Sequence, residues 1–194
     1  MRGGWLAMAA GAAMALAAGW AAAQGTPAPA ASGTAQAAKP AAAAPKGPSA
    51  SGPSDRAQIQ ALLKAYNKAF NAKDADGVMA AYAKKGLFVF DVSPPREHVG
   101  WDDYKKDWTE MFAAFPGPLT NTISEQTLNI VGPVAWGHNV QDTSFTAKDG
   151  SKTEVTVRVT DVFRKTGGAW RIVEEHVSVP VDLATGKADL MSKP

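Results

Sequence analysis

Asp161 stands in a run of alternating residues where a carboxyl is out of place. Val155, Val157, Val159, Asp161 and Phe163 share one face of an extended segment, and Thr156, Arg158, Thr160 and Arg164 share the other with Val162. If the valine face points inward, burial raises a lone carboxyl's pKa by up to ~3–5 units and makes it a neutral hydrogen-bond donor. A buried cation or a wet sheet end is the other way to accommodate it. Gly167-Gly168 forms a natural two-residue turn after this segment. That turn sets Phe163 opposite Ile172, Asp161 opposite Glu174 and Val159 opposite His176. Two carboxyls and an imidazole then adjoin on one apolar surface, where neighbouring carboxyls share a proton or recruit a cation. A bulge in the hairpin would shift the pairing by one residue and remove Glu174 and His176 from that face.

Leu87, Val89 and Asp91 repeat the theme on a shorter strand, with Asp91 at its end beside Pro94-Pro95. A half-exposed carboxylate there keeps a modest pKa and can take a proton from a bound substrate; an Asp that starts a turn is the plainer reading. Tyr66 lies on the apolar face of a helix, either as a core tyrosine with its hydroxyl satisfied or as a donor. His98, His138 and His176 show no metal-ligand spacing. No metal is expected, the one grouping able to hold one being Asp161, Glu174 and His176. The chain has no cysteine, which excludes disulfides, Cys-based zinc sites and thiol catalysis. It also lacks a Gly-rich phosphate loop, a nucleophile elbow and a dinucleotide fingerprint, so hydrolase and nucleotide chemistries drop out and no cofactor is expected.

These residues need elements to position them. Ser54 sits at a helix N-cap, followed by Ile59, Leu62, Leu63, Tyr66 and Phe70 at helical spacing. Asp74 or Asp76 caps a short second helix containing Val78, Met79 and Tyr82 and ending near Gly86. Residues 87–92 form a short strand. Gly100 then opens a third helix over 101–115, with Tyr104, Trp108, Met111, Phe112 and Phe115 on one face, stopped by Pro116-Gly117-Pro118. Strands follow over 119–131, 134–146, 153–165 and 169–179, with turns at Gly132-Pro133, Lys148-Asp149-Gly150 and Gly167-Gly168. Helices first and a meander afterwards make an α+β domain, three N-terminal helices on a curved antiparallel sheet.

The ends differ in kind. Arg2, an apolar run and Ala21-Ala22-Ala23 read as a secretory signal over 1–23, too short and Ala-rich to favour a membrane span. Residues 24–53 are an Ala/Pro-rich linker that cannot bury enough apolar surface to fold. Setting aside Arg2, Lys39 and Lys46 leaves 17 basic against 18 acidic residues, with no basic stripe for nucleic acid. The expected product is periplasmic or secreted, with no membrane insertion after signal cleavage. Residues 182–194 form a loosely attached tail.

Three segments carry a family resemblance. Leu62-Leu63-Lys64-Ala65-Tyr66 resembles the ketosteroid-isomerase segment bearing its oxyanion-hole tyrosine. Tyr82-Ala83 followed by Phe90-Asp91, with Pro94-Pro95 and Gly100 beyond, resembles the one bearing the general base, with one extra residue between Tyr82 and Asp91. Thr160-Asp161-Val162-Phe163-Arg164 resembles the strand bearing the protonated oxyanion-hole Asp. The stretch from Trp170 to Ala188 resembles the tail of exported SnoaL-like proteins. The whole of 54–181 thus resembles the NTF2-like superfamily, specifically its SnoaL-like and ketosteroid-isomerase-like members. The resemblance implies an NTF2-like cone in which Asp91 abstracts a proton alpha to a carbonyl while Tyr66 and Asp161 hold the enolate oxygen. The expected cavity is lined by Val89, Trp108, Phe112, Val157 and Val159, with Glu174 and His176 adding polarity, and takes a small apolar or carbonyl-containing molecule. A non-catalytic ligand-binding, dimerisation or accessory module of the cell envelope is the alternative. Phe88 and Phe90, opposite Asp91, point to a homodimer surface.

Overall fold

The computed structural model describes residues 53–192. The expected signal, and the linker apart from Pro53, lie outside the described residues. Helix α1 (Asp55–Asn71) starts where Ser54 Oγ accepts the Ala57 N–H at 3.3 Å, and it buries Ile59, Leu63, Tyr66, Ala69 and Phe70. Helix α2 (Ala75–Met79) is capped by Asp74, which accepts from the Gly77 N–H at 2.9 Å. Next come β1 (Phe88–Phe90), β2 (Glu97–Val99) and α3 (Trp101–Ala114), whose buried face is Tyr104, Trp108, Met111 and Phe112. Gly100 precedes α3 at φ 97°, a left-handed conformation that favours glycine.

The meander runs β3 (Leu119–Ser124), β4 (Asn129–Val131), β5 (Val134–Thr146), β6 (Lys152–Thr166) and β7 (Ala169–Ser178), and a two-stranded ribbon of β8 (Val181–Asp182) and β9 (Lys187–Ala188) follows. The single strand expected over 119–131 is interrupted; Glu125 turns the chain with φ 50°. The main sheet has seven strands in the order β2-β1-β7-β6-β5-β3, with β4 beside β5. One pairing departs from the expected antiparallel pattern: β1 runs parallel to β7, which makes the sheet mixed. Strand β2 was not foreseen, because a three-residue strand carries too little alternation to detect.

The interior is largely aromatic. Tyr66, Phe70, Tyr82, Tyr104, Trp108 and Phe112 meet mostly edge-on, with Phe70 and Trp108 centroids 4.9 Å apart and Tyr82 and Tyr104 centroids 5.3 Å apart. Beyond α2 the chain docks on β7, where the Ala83 N–H donates to Ile172 O at 2.8 Å and the Ile172 N–H to Ala81 O at 2.9 Å. That docking fixes Tyr82 beside the sheet. Among the described residues, no helix is long and apolar enough to cross a membrane.

Candidate active site

The site begins with an irregularity in the β6–β7 hairpin. From the Gly167-Gly168 turn the pairing proceeds as expected to Phe163 opposite Ile172, and then a bulge between Val162 and Phe163 shifts it by one. Val162 faces Glu174, Asp161 faces Glu175 and Thr160 faces His176. Two sequence expectations are therefore corrected: Glu174 and His176 are exposed, and His176 stacks against Phe90 with ring centroids 5.4 Å apart. Glu175 takes the inward position at 3% exposure, beside Asp161 at 2%.

Burial works against ionising both members of this carboxyl pair. Burial, then the charge of Asp161, pushes Glu175 well above the usual carboxyl range. Asp161 is pushed up to about 6 by burial, moderated by hydrogen bonds from Glu175 and Asn139. Burial of both carboxyls favours one proton held between them over two charges. Asn139 Nδ2 donates to Asp161 Oδ2 at 3.2 Å. Glu175 in turn accepts from two phenols, Tyr82 at 2.9 Å on Oε2 and Tyr104 at 3.0 Å on Oε1.

Tyr104 links this buried centre to the edge of the domain. Its hydroxyl also lies 3.3 Å from Asp91 Oδ2, while Asp91 Oδ1 accepts from the Ser93 N–H at 3.2 Å and its hydroxyl at 3.3 Å. Asp91 is half-buried. Burial raises the Tyr66, Tyr82 and Tyr104 hydroxyls well above the usual phenol range, so all three stay protonated. Four buried polar side-chain atoms among the described residues lack a hydrogen-bond partner: His98 Nε2, Trp108 Nε1, Asn139 Oδ1 and Asp161 Oδ1.

Asp91 reaches the buried carboxyls through the Tyr104 hydroxyl, Asp161 sits opposite Glu175 in the sheet, and Tyr66 packs edge-on against Tyr82 with ring centroids 6.2 Å apart. Tyr66 and Asp161 join the network through Tyr82, Glu175 and Asn139. The hydroxyl next to Asp91 is that of Tyr104, which was expected only on the apolar face of α3. Val89, Trp108, Phe112, Val157 and Val159 all point inward and are buried. Sequence reasoning placed Tyr82 and Tyr104 on helical apolar faces as core residues and missed Glu175. A signal for Glu175 existed: the unshifted register buries Glu174, His176 and Ser178, whereas the shifted one buries Glu175 with Val177 half-covered, a smaller polar burden. A separate groove of about 790 Å³ crosses the outer sheet face between Thr122, Asp142, Thr156, Arg158 and Met191, away from this network.

Residues 59–182 match the SnoaL-like domain family. No curated protein matches the chain. Among solved structures, an NTF2-like protein of unknown function from Pseudomonas putida is 27% identical, with TM-score 0.65, over 74% of this chain and 100% of that one. An NTF2-like superfamily protein from Salmonella enterica is 17% identical, with TM-score 0.59, over 66% of this chain and 93% of that one. A protein provisionally assigned as a scytalone dehydratase, from Novosphingobium aromaticivorans, is 16% identical, with TM-score 0.58, over 64% of this chain and 83% of that one. Family match and shared architecture agree, and the chain belongs to the SnoaL-like domain family, on an NTF2-like fold.

Proposed function

We propose that this domain performs acid–base proton transfer on a small carbonyl-containing molecule, using its own side chains. The observation that carries the reading is the Tyr104 hydroxyl, held between a half-buried carboxylate, Asp91, and a buried neutral carboxyl, Glu175. Asp91 takes a proton alpha to the substrate carbonyl, and Tyr104 donates a hydrogen bond to the enolate oxygen as charge develops there. Glu175, Tyr82, Tyr66 and Asp161 hold Tyr104 protonated and oriented. Elimination of a beta-hydroxyl begins with the same proton abstraction, in keeping with a structural neighbour provisionally assigned as a dehydratase. The apolar signal-like start of the chain supports a periplasmic or secreted setting.

The test is turnover of a panel of beta,gamma-unsaturated and beta-hydroxy ketones. Wild type turns over at least one of them, Asp91→Asn abolishes that activity, and Tyr104→Phe lowers kcat roughly 100- to 1000-fold. Equal rates for wild type and Asp91→Asn remove the assignment.

A second reading rests on a different surface. Phe88 and Phe90 meet edge-on with centroids 4.8 Å apart beside His176, and Phe90 is 37% exposed. An aromatic patch on an outer sheet face supports self-association as a homodimer.

A further inference from the structure

We propose that Asp91, His98 and Asp107 form a binding site for a first-row divalent cation of the Zn²⁺ or Mn²⁺ kind, beside the mouth of the acid–base network. Three elements contribute one ligand each: Asp91 from the end of β1, His98 from the middle of β2 and Asp107 from α3. One ligand atom from each lies within 4.8 Å of the other two.

The histidine supplies the argument that acidic residues alone could not. His98 is 2% exposed, and its Nδ1 lies 3.2 Å from Asp103 Oδ2, which also accepts the Val99 N–H at 3.3 Å. A carboxylate so held accepts the hydrogen bond of Nδ1–H, which keeps the proton on Nδ1 and leaves the Nε2 lone pair bare. This is the outer-shell arrangement that orients metal-binding histidines. Nε2 is buried and has no hydrogen-bond partner. It points toward Asp107 Oδ2 at 3.9 Å, too far for a hydrogen bond. With metal–ligand distances of about 2.0–2.2 Å, two ligands of one ion stand roughly 3–4 Å apart, so this separation suits a shared cation.

Three electron-pair donors facing one another need a positive charge among them. Two carboxylates balance a divalent ion and suit manganese, and the imidazole nitrogen suits zinc. Asp91 is half-buried and the Asp107 side chain is 15% exposed, which leaves a route from solvent. The site goes beyond the proton-transfer reading and does not depend on it. A cation held there occupies an Asp91 oxygen and competes with the use of that carboxylate as a base.

The experiment uses the full chain, stripped with EDTA and dialysed. Zn²⁺ is titrated by calorimetry, Mn²⁺ by the electron paramagnetic resonance of the free ion, and the histidine ring ¹⁵N signals are followed alongside. The expected result is one ion per chain, a shift of the His98 Nε2 signal on adding Zn²⁺, and affinity about tenfold or more weaker in Asp103→Asn. Asp107→Asn, checked for folding by circular dichroism, loses most of the affinity, and His138→Ala keeps it. Overturning results are the absence of stoichiometric binding, binding unchanged in Asp107→Asn, or a His98 ring doubly protonated and unmoved by Zn²⁺. Loss of ketone turnover in Asp91→Asn without ion binding by wild type would sink the cation site and leave the proton-transfer reading standing.

Discussion

A phenol has one proton to give, and Tyr104 has a carboxyl on each side. Donation to Glu175 spans 3.0 Å and donation to Asp91 spans 3.3 Å, so the two acceptors compete at nearly equal reach. Glu175 can give way because it is neutral and already bonded to Tyr82 and Asp161. The price of keeping these acids buried has a sign in pH. Asp161 is raised from 3.8 to about 6, so the folded state binds its proton more tightly than the unfolded state does. Stability from this group is therefore fully present below pH 3.8 and is lost as pH rises through about 6. The urea midpoint of wild type should fall between pH 4 and pH 7 more steeply than that of Asp161→Asn, as followed by tryptophan fluorescence. Parallel slopes would show that Asp161 titrates normally.

Strand register decides which acid is buried. The alternation of β6 was legible in the sequence, because Val157, Val159, Asp161 and Phe163 all turn inward as their spacing dictates. The bulge was not, because the extra residue, Val173 on β7 opposite the Val162–Phe163 step, leaves no local mark when Glu174 and Glu175 are adjacent and of one type. The β1–β7 pairing that sets Val89 beside Glu175 joins residues far apart in sequence, which periodicity cannot align. Tyr82 and Tyr104 were legible as inward residues but not as site residues, since their partner was misplaced. The register makes three substitutions separable by thermal or urea denaturation. Glu175→Ala strands the Tyr82 and Tyr104 hydroxyls and should cost roughly 2–3 kcal/mol, whereas Glu174→Ala and His176→Ala should stay within about 0.5 kcal/mol. A second constraint lies on β5, where a Cβ on Gly137 would stand 2.2 Å from Thr127 O. Gly137→Ala must push the loop before β4 off the sheet, and its melting temperature should drop by several degrees, a cost of roughly 1–3 kcal/mol.

At the scale of the whole domain, aromatic rings fill the space between helices and sheet, and the polar network threads through them toward Asp91. The α+β architecture, the three helices and the meander follow from composition and period, which is why they could be read in advance. The outer face carries a separate prediction: if Phe88 and Phe90 build a homodimer, Phe90→Lys should reduce the mass seen by light scattering to one chain, leaving circular dichroism unchanged. A wild type that stays monomeric at every concentration tested would dismiss the dimer.

The account turns on Glu175 being a neutral acid at the centre of the network, and ¹³C NMR of side-chain-labelled glutamate reports that state directly. The Glu175 carboxyl should show a protonated shift at pH 7 and no titration near 4.5, the ordinary value, and Tyr104→Phe should move its resonance. A Glu175 signal that titrates with the exposed glutamates would contradict the shared proton, and with it the role assigned to Tyr104.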